Sequence, residues 1–237
     1  MIALNIPNIG REELRAASKN IKDGWLVGGK YIFKFENQFK KYININYAIT
    51  CASGTSALHL ALRAIGVEKK DEIIIPSVSF IATANAVLYC NCSPIFMDVD
   101  EYLNIDLKKL EKFFLEKTFL KKGRLINKKT NRTIKAMIVV HVFGNSADII
   151  NLKRLCLKYK IKLIEDAAHA AGTNFKNKTI GSHGDAVCFS FHPVKNLAMP
   201  TGGLIALNGK NSKQHSNLIK SRRWCGIENR KGTDYDV

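Results

Sequence analysis

No Cys-x-x-Cys pair occurs in this 237-residue chain, and no Cys/His spacing suits zinc. That argues against the common structural zinc modules. A G-x-G-x-x-G run is missing too, so the dinucleotide fingerprint is absent. The nearest approach to a P-loop is GWLVGGKY, Gly24–Tyr31. It follows a helical pattern where a P-loop follows a strand, and Tyr31 stands where Ser or Thr must hold magnesium. No apolar run approaches membrane-spanning length. The opening MIALNIPNIGREELR lacks a signal-peptide pattern. The expectation is a soluble cytoplasmic protein with no membrane partner. The six cysteines (Cys51, Cys90, Cys92, Cys156, Cys188 and Cys225) sit mostly in apolar runs and read as buried thiols.

Acidic residues are scarce, 20 against 37 basic ones, for a net charge of +17. Such an excess can mark a nucleic-acid partner. Here the basic residues are spread along the chain. The densest runs, 120–132 and 220–224, are short. No helix-turn-helix, zinc-finger or RNP-like pattern accompanies them. The charge therefore reads as a lysine-rich solvated surface, with no nucleic-acid partner.

The chain shows no internal repeat and no low-complexity linker. Two helical patterns come first, 11–24 and 32–43, the second with Ile32, Phe35, Phe39 and Ile43 at helical spacing. Strands and helices then alternate. Strands are predicted at 47–52, 72–77, 93–100, 134–144 and 161–168, and helices at 56–66, 80–90, 106–117 and 149–160. Strand-helix alternation calls for right-handed crossovers and a largely parallel sheet. The stretch AVCFSFHPVKNLAMPTGGLIAL breaks the rhythm. It has little room for a helix between strands at 185–191 and 203–207, which suggests an antiparallel hairpin and a mixed sheet. A last helix is predicted at 212–224. The segment 118–133 reads as a polar surface excursion.

Three stretches carry chemistry. In CASGTSALHLAL, a strand end leads through Ser53, Gly54, Thr55 and Ser56 into a helix. Glycine admits close backbone approach, and a helix N-terminus offers unpaired N–H groups, so the turn suits a phosphate. Taken alone, a plain helix cap is the simpler reading. In KLIEDAAHAAG, Glu165 and Asp166 fall at a strand's C-terminal end, where ligand crevices of open sheets lie. A carboxylate there can cap the next helix or pair with a buried cation. His169 follows within one turn, and an ordinary surface or core histidine is the alternative. The third stretch places Ser190, Lys195 and Gly202–Gly203 between two buried strands. Desolvation there would lower a lysine's pKa and make its amine nucleophilic. Phosphate cradle, carboxylate and desolvated lysine together match what pyridoxal 5′-phosphate needs. Phe80, just after a strand end, is the aromatic expected to flank the ring.

The stretches GWLVGG, SGTSALHLAL, DEIIIPSVSFIATANAV, PIFMDVDEYLNID, KAMIVVHVFGNSADI, IEDAAHAAGT, GSHGDAVCFSFHPVKNL and GGLIAL resemble, in order, the DegT/DnrJ/EryC1/StrS family of sugar aminotransferases. The resemblance implies an α/β protein: the three-layer α/β/α large domain of the type I pyridoxal-phosphate aminotransferase fold, with a mixed, mostly parallel sheet. Residues 1–237 would form that domain, with a helical segment over about 1–46. The match covers about the first two-thirds of a family member, so the small C-terminal domain is expected to be missing. The resemblance implies Lys195 as the Schiff-base lysine and proton shuttle. Asp166 would pair with the pyridine nitrogen, His169 would lie near the ring hydroxyl, and Phe80 would stack on the ring. Gly54, Thr55 and Ser190 would bind the phosphate, with Ser56 a weaker candidate. It further implies a homodimer that aminates a nucleotide-linked keto-deoxysugar, with glutamate as donor, for surface-glycan or polysaccharide synthesis. The competing expectation is a catalytically incomplete fragment or a regulatory protein on the same fold. Met199-Pro200-Thr201 departs from the family's usual residues before the double glycine, and Pro200 removes a backbone donor.

Overall fold

The computed structural model describes residues 6–24, 28–224 and 226. Trp25, Leu26 and Val27 of the Gly24–Tyr31 stretch, Cys225 and the closing residues 227–237 lie outside them. Helix α1, Arg11–Lys22, buries no residue, whereas α2, Lys30–Tyr42, packs Phe39 and Glu36 inward. The alternating part follows: β1 Tyr47–Cys51, α3 Gly54–Ala64, β2 Glu72–Pro76, α4 Ile81–Tyr89, β3 Ser93–Met97 and α5 Leu107–Lys117. Next come β4 Thr118–Lys121, β5 Arg124–Asn127, β6 Thr133–Val140, α6 Ile149–Tyr159 and β7 Lys162–Asp166. A small hairpin, β8 Asn174–Phe175 and β9 Lys178–Thr179, precedes β10 Ala186–Ser190, β11 Gly203–Leu207 and α7 Ser212–Arg222.

The main sheet runs β1-β11-β10-β7-β6-β2-β3. Strands β10, β7, β6, β2 and β3 pair in parallel. β11 is antiparallel to both β1 and β10, so it alone runs against the others along this path. The expected hairpin and mixed sheet are both present. Alternate strand residues face opposite sides. One side packs Ile73, Ile75, Ile138 and Ile164 against α3 and α4. The other packs Ile74, Met137, Val139 and Leu163 against α5 and α6, and continues to Phe39 of α2 against Phe189 and Leu204. The result is three layers, α/β/α.

Two expectations need correction. The segment 118–133 is not a plain surface excursion. β4 and β5 form a hairpin, β5 pairs with the start of β6, and Leu125, Ile126 and Asn127 are buried. Buried Glu72 accepts from Asn127 Nδ2 at 2.9 Å, which seats the hairpin on β2. The strand expected over 134–144 ends at Val140. A short 3-10 turn, Val142–Gly144, follows, with Phe143 in a left-handed conformation at φ 52°. Among the described cysteines, Cys90, Cys92, Cys156 and Cys188 are buried and Cys51 is half-buried, and none is in a disulfide.

Candidate active site

Every chemistry-bearing stretch ends at one edge of the sheet, the carboxyl edge of its parallel strands. Cys51 of β1 and Ser190 of β10 both lie opposite Gly203 of β11. The exits of β1 and β10 therefore approach each other across a residue without a side chain. The fit is tight. A Cβ on Gly203 would lie 2.3 Å from the Ser53 carbonyl oxygen, and one on Gly54 would lie 2.7 Å from Ser190 Cβ. Ser53 caps α3, accepting from Ser56 N–H at 3.1 Å. The helix thus begins at Gly54, two residues earlier than the pattern suggests, and Gly54 and Thr55 stand in its first turn beside Ser190. The hydroxyl of Ser56 lies 3.0 Å from that of Ser53 and is held within the cap. The cap reading is realised, and the helix N-terminus it leaves beside Ser190 is the candidate anion site.

The Met199-Pro200-Thr201 departure leaves the hairpin knitted. Phe191 N–H donates to the Gly202 carbonyl at 2.9 Å, and Met199 N–H donates to the Phe191 carbonyl at 2.8 Å. Thr201 Oγ1 donates to the Ala52 carbonyl at 2.7 Å, tying the hairpin to the α3 turn. The donor that Pro200 lacks is not called on, because Pro200 is exposed.

Asp166 ends β7, with β6 and β10 on either side. Its carboxylate is 5% exposed. Thr83 Oγ1 of α4 donates to Oδ2 at 2.8 Å, and Ala168 N–H donates to Oδ1 at 3.2 Å. Burial nevertheless raises its pKa. These donors, and His141 and His169 nearby, offset only part of that cost. Such a carboxylate calls for a cationic partner.

Lys195 stands in a tight turn whose N–H donates to the His192 carbonyl at 2.8 Å. Burial lowers its pKa, and the charge of Asp166 opposes that shift. His169 is likewise lowered, first by burial and then by Lys195. Asp166, His169 and Lys195 therefore share one electrostatic site, although the chain separates the first and last by 29 positions. His169 Nδ1 accepts from Phe143 N–H at 3.2 Å, and the two rings stack nearly parallel at 5.8 Å. Phe80 immediately precedes α4, one turn from Thr83, and its ring is 71% exposed.

The arrangement offers donors for an anion at Gly54–Thr55, a carboxylate for a cationic ring atom, and a desolvated amine. The sequence profile of the DegT/DnrJ/EryC1/StrS aminotransferase family matches residues 7–236. The chain belongs to this family.

Family relatives agree in kind. A UDP-4-amino-4,6-dideoxy-N-acetyl-beta-L-altrosamine transaminase of Campylobacter jejuni is 37% identical over all of this chain and 58% of its own length. A GDP-perosamine synthase of Vibrio cholerae is 34% identical over 88% of this chain and 53% of its own. The solved structure of Helicobacter pylori PseC, an aminotransferase of pseudoaminic acid biosynthesis, superposes with a TM-score of 0.85 at 27% identity. It covers 97% of this chain and 57% of that one. The chain thus spans just over half the length of these relatives. The superposition makes the fold that of the pyridoxal-phosphate-dependent aminotransferases.

Sequence reasoning missed Thr83, His141 and Phe143. Thr83 sits in the predicted helix 80–90, where nothing in the pattern marks it, and joins the site only through α4. His141 had a signal, a lone histidine at the end of the apolar run IVVHVFG.

Proposed function

We propose that this chain is the cofactor-binding domain, residues 1–237 with its helical segment over about 1–46, of a pyridoxal-phosphate-dependent aminotransferase acting on a nucleotide-linked keto-deoxysugar. What supports the reading is that partly buried Lys195 feels the charge of buried Asp166 at the end of β7, each with a pKa displaced by burial. Family membership and the sugar-transaminase relatives support the substrate class. Glutamate is the proposed amino donor.

The residues present fit the cofactor. Gly54 packs so closely on Ser190 that a Cβ would not fit, which brings the first-turn N–H groups of α3 and the Ser190 hydroxyl side by side as donors for a phosphate. Asp166 would hold the ring nitrogen protonated, and that partner would relieve its buried charge. Phe80 and His169 would confine the ring. Pyridoxal phosphate, when bound, supplies an electron sink for charge developing at the donor's α-carbon. Lys195 Nζ would hold the cofactor covalently and, once displaced by the donor, move a proton at that carbon. Burial fits it for this, since a lysine at its ordinary pKa would stay protonated near neutrality.

Adding pyridoxal phosphate to the purified chain should give a visible absorption band with covalent attachment at Lys195. Lys195→Ala should remove the attachment. A wild-type chain that stays colourless, or a Lys195→Ala chain that keeps the band, overturns the reading.

The working form proposed is a homodimer. Phe143, Phe80, Ile81 and Val194 are 82%, 71%, 61% and 54% exposed beside the site, an apolar border that a second subunit would cover. A chain that sediments as a monomer with the cofactor bound sinks this part. The proposed location is the cytoplasm. Unpaired thiols suit a reducing compartment, and no helix among the described residues is long and apolar enough to cross a membrane. Recovery of the native protein from an oxidising compartment would refute it.

A further inference from the structure

Behind the site lies a polar pair that the proposed chemistry does not use. His141 and Glu165 are each fully buried, with His141 Nε2 3.0 Å from Glu165 Oε2. Ala147 N–H donates to His141 Nδ1 at 3.2 Å. That bond assigns the ring proton to Nε2, so Nε2–H donates to Glu165. The other Glu165 oxygen accepts from Gly184 N–H. Position 184 has no room for a side chain, since a Cβ there would lie 2.8 Å from Glu165 Oε1. Polar groups buried this deeply are stable only when each is paired. Here both Glu165 oxygens and both imidazole nitrogens are.

Two contacts tie the pair to the site. Glu165 and Asp166 are successive residues of β7, so their side chains point to opposite faces of the sheet. Glu165 is held from the α6 side while Asp166 meets Thr83 on the α4 side. His141 N–H donates to the Asp166 carbonyl at 3.1 Å, fixing the main chain under that carboxylate. The second contact runs through the loop 141–147, closed on itself by the Ala147–His141 bond. This loop carries Phe143, whose N–H and ring both meet His169. Phe143 is left-handed at φ 52°, a conformation a bulky residue keeps only where its surroundings impose it. The fixed ends of the loop impose it.

We propose that His141 and Glu165 are a positioning pair for the cofactor site, locking the main chain beneath Asp166 and the loop that orients His169. The inference rests on the reading that this site holds pyridoxal phosphate. A purely structural pair would affect folding stability alone, whereas a positioning pair controls cofactor affinity apart from stability.

The test titrates the full chain with pyridoxal phosphate, reading affinity from the visible band, and measures the cofactor-free unfolding midpoint alongside. The double variant His141→Phe/Glu165→Leu removes both polar side chains, so neither is left without the other, and lowers the midpoint only through the Ala147 and Gly184 N–H groups that lose their acceptors. It should fold cooperatively and bind the cofactor on the order of tenfold more weakly. Glu165→Gln keeps the shape, but its amide cannot accept from both His141 and Gly184. It serves as the deciding variant if the double variant does not fold. It should fold with a midpoint lowered by the donor left unpaired, and weaken binding in the same direction. A folded variant of either kind whose affinity is indistinguishable from wild type overturns the inference. A wild-type chain that binds no cofactor instead overturns the reading beneath it.

Discussion

Asp166 is held in a state its own surroundings disfavour. Burial raises its pKa, so the folded chain binds a proton at this carboxyl more tightly than the unfolded chain does. Stability then falls as pH rises from the carboxyl's ordinary value near 3.8 through its raised value. The cost grows across that window and is complete only above the raised value. Asp166→Asn removes it while keeping an acceptor for Ala168 N–H, and the Thr83 hydroxyl can turn to accept from the new amide. Without cofactor, the variant should be about 1 kcal/mol more stable than wild type at pH 7, with the gain vanishing in acid. Urea unfolding at the two pH values checks this. A variant less stable than wild type at pH 7 would show that the carboxylate's hydrogen bonds outweigh its burial. Asp166 could be singled out as a candidate from the sequence, because an acid at the end of a parallel strand lies where ligand crevices form. Thr83 was not, because a threonine within an apolar helix carries no local sign of what it faces.

Among the elements, the hairpin of β4 and β5 shows why polarity misleads. Its segment is crowded with lysine and arginine, and a reading by composition places it in solvent. Leu125 and Ile126 are nonetheless buried, and Asn127 supplies the donor that buried Glu72 needs. Asn127→Ala leaves that carboxylate without this partner and should cost about 1–3 kcal/mol. The measurement is the urea midpoint. An unchanged midpoint would mean that the hairpin does not depend on this contact. Helix α3 shows a local signal instead, although the apolar pattern put its start two residues late. Ser53 ahead of Gly-Thr-Ser is a capping pattern, and the helix begins there because the cap satisfies one of its orphan donors. The overlong β6 has another cause. An apolar run does not reveal where a strand stops, and β6 stops where His141 turns inward to Glu165.

At the scale of the whole molecule, one ion pair joins the two ends of the described chain. Arg223, just past α7, lies 2.6 Å from Glu36 of α2, and the same carboxylate oxygen accepts from both N–H and hydroxyl of Thr50 in β1. Glu36 is 5% exposed. Removing its cation with Arg223→Ala leaves a buried charge and should cost about 3 kcal/mol, read as a lowered unfolding midpoint. A midpoint equal to that of wild type would show the pair to be dispensable. The sequence by itself determined the alternation that makes a largely parallel sheet, the hairpin of β10 and β11, and the residue types offered at each strand end. Those features follow from periodicity and turn chemistry, which act over a few residues. Only the tertiary structure decided that Gly54 meets Ser190 across Gly203, that Asp166, His169 and Lys195 share one field, and that His141 stands behind them. Strand order sets those meetings, and strand order depends on how the apolar faces of distant segments pack together, which no local pattern encodes.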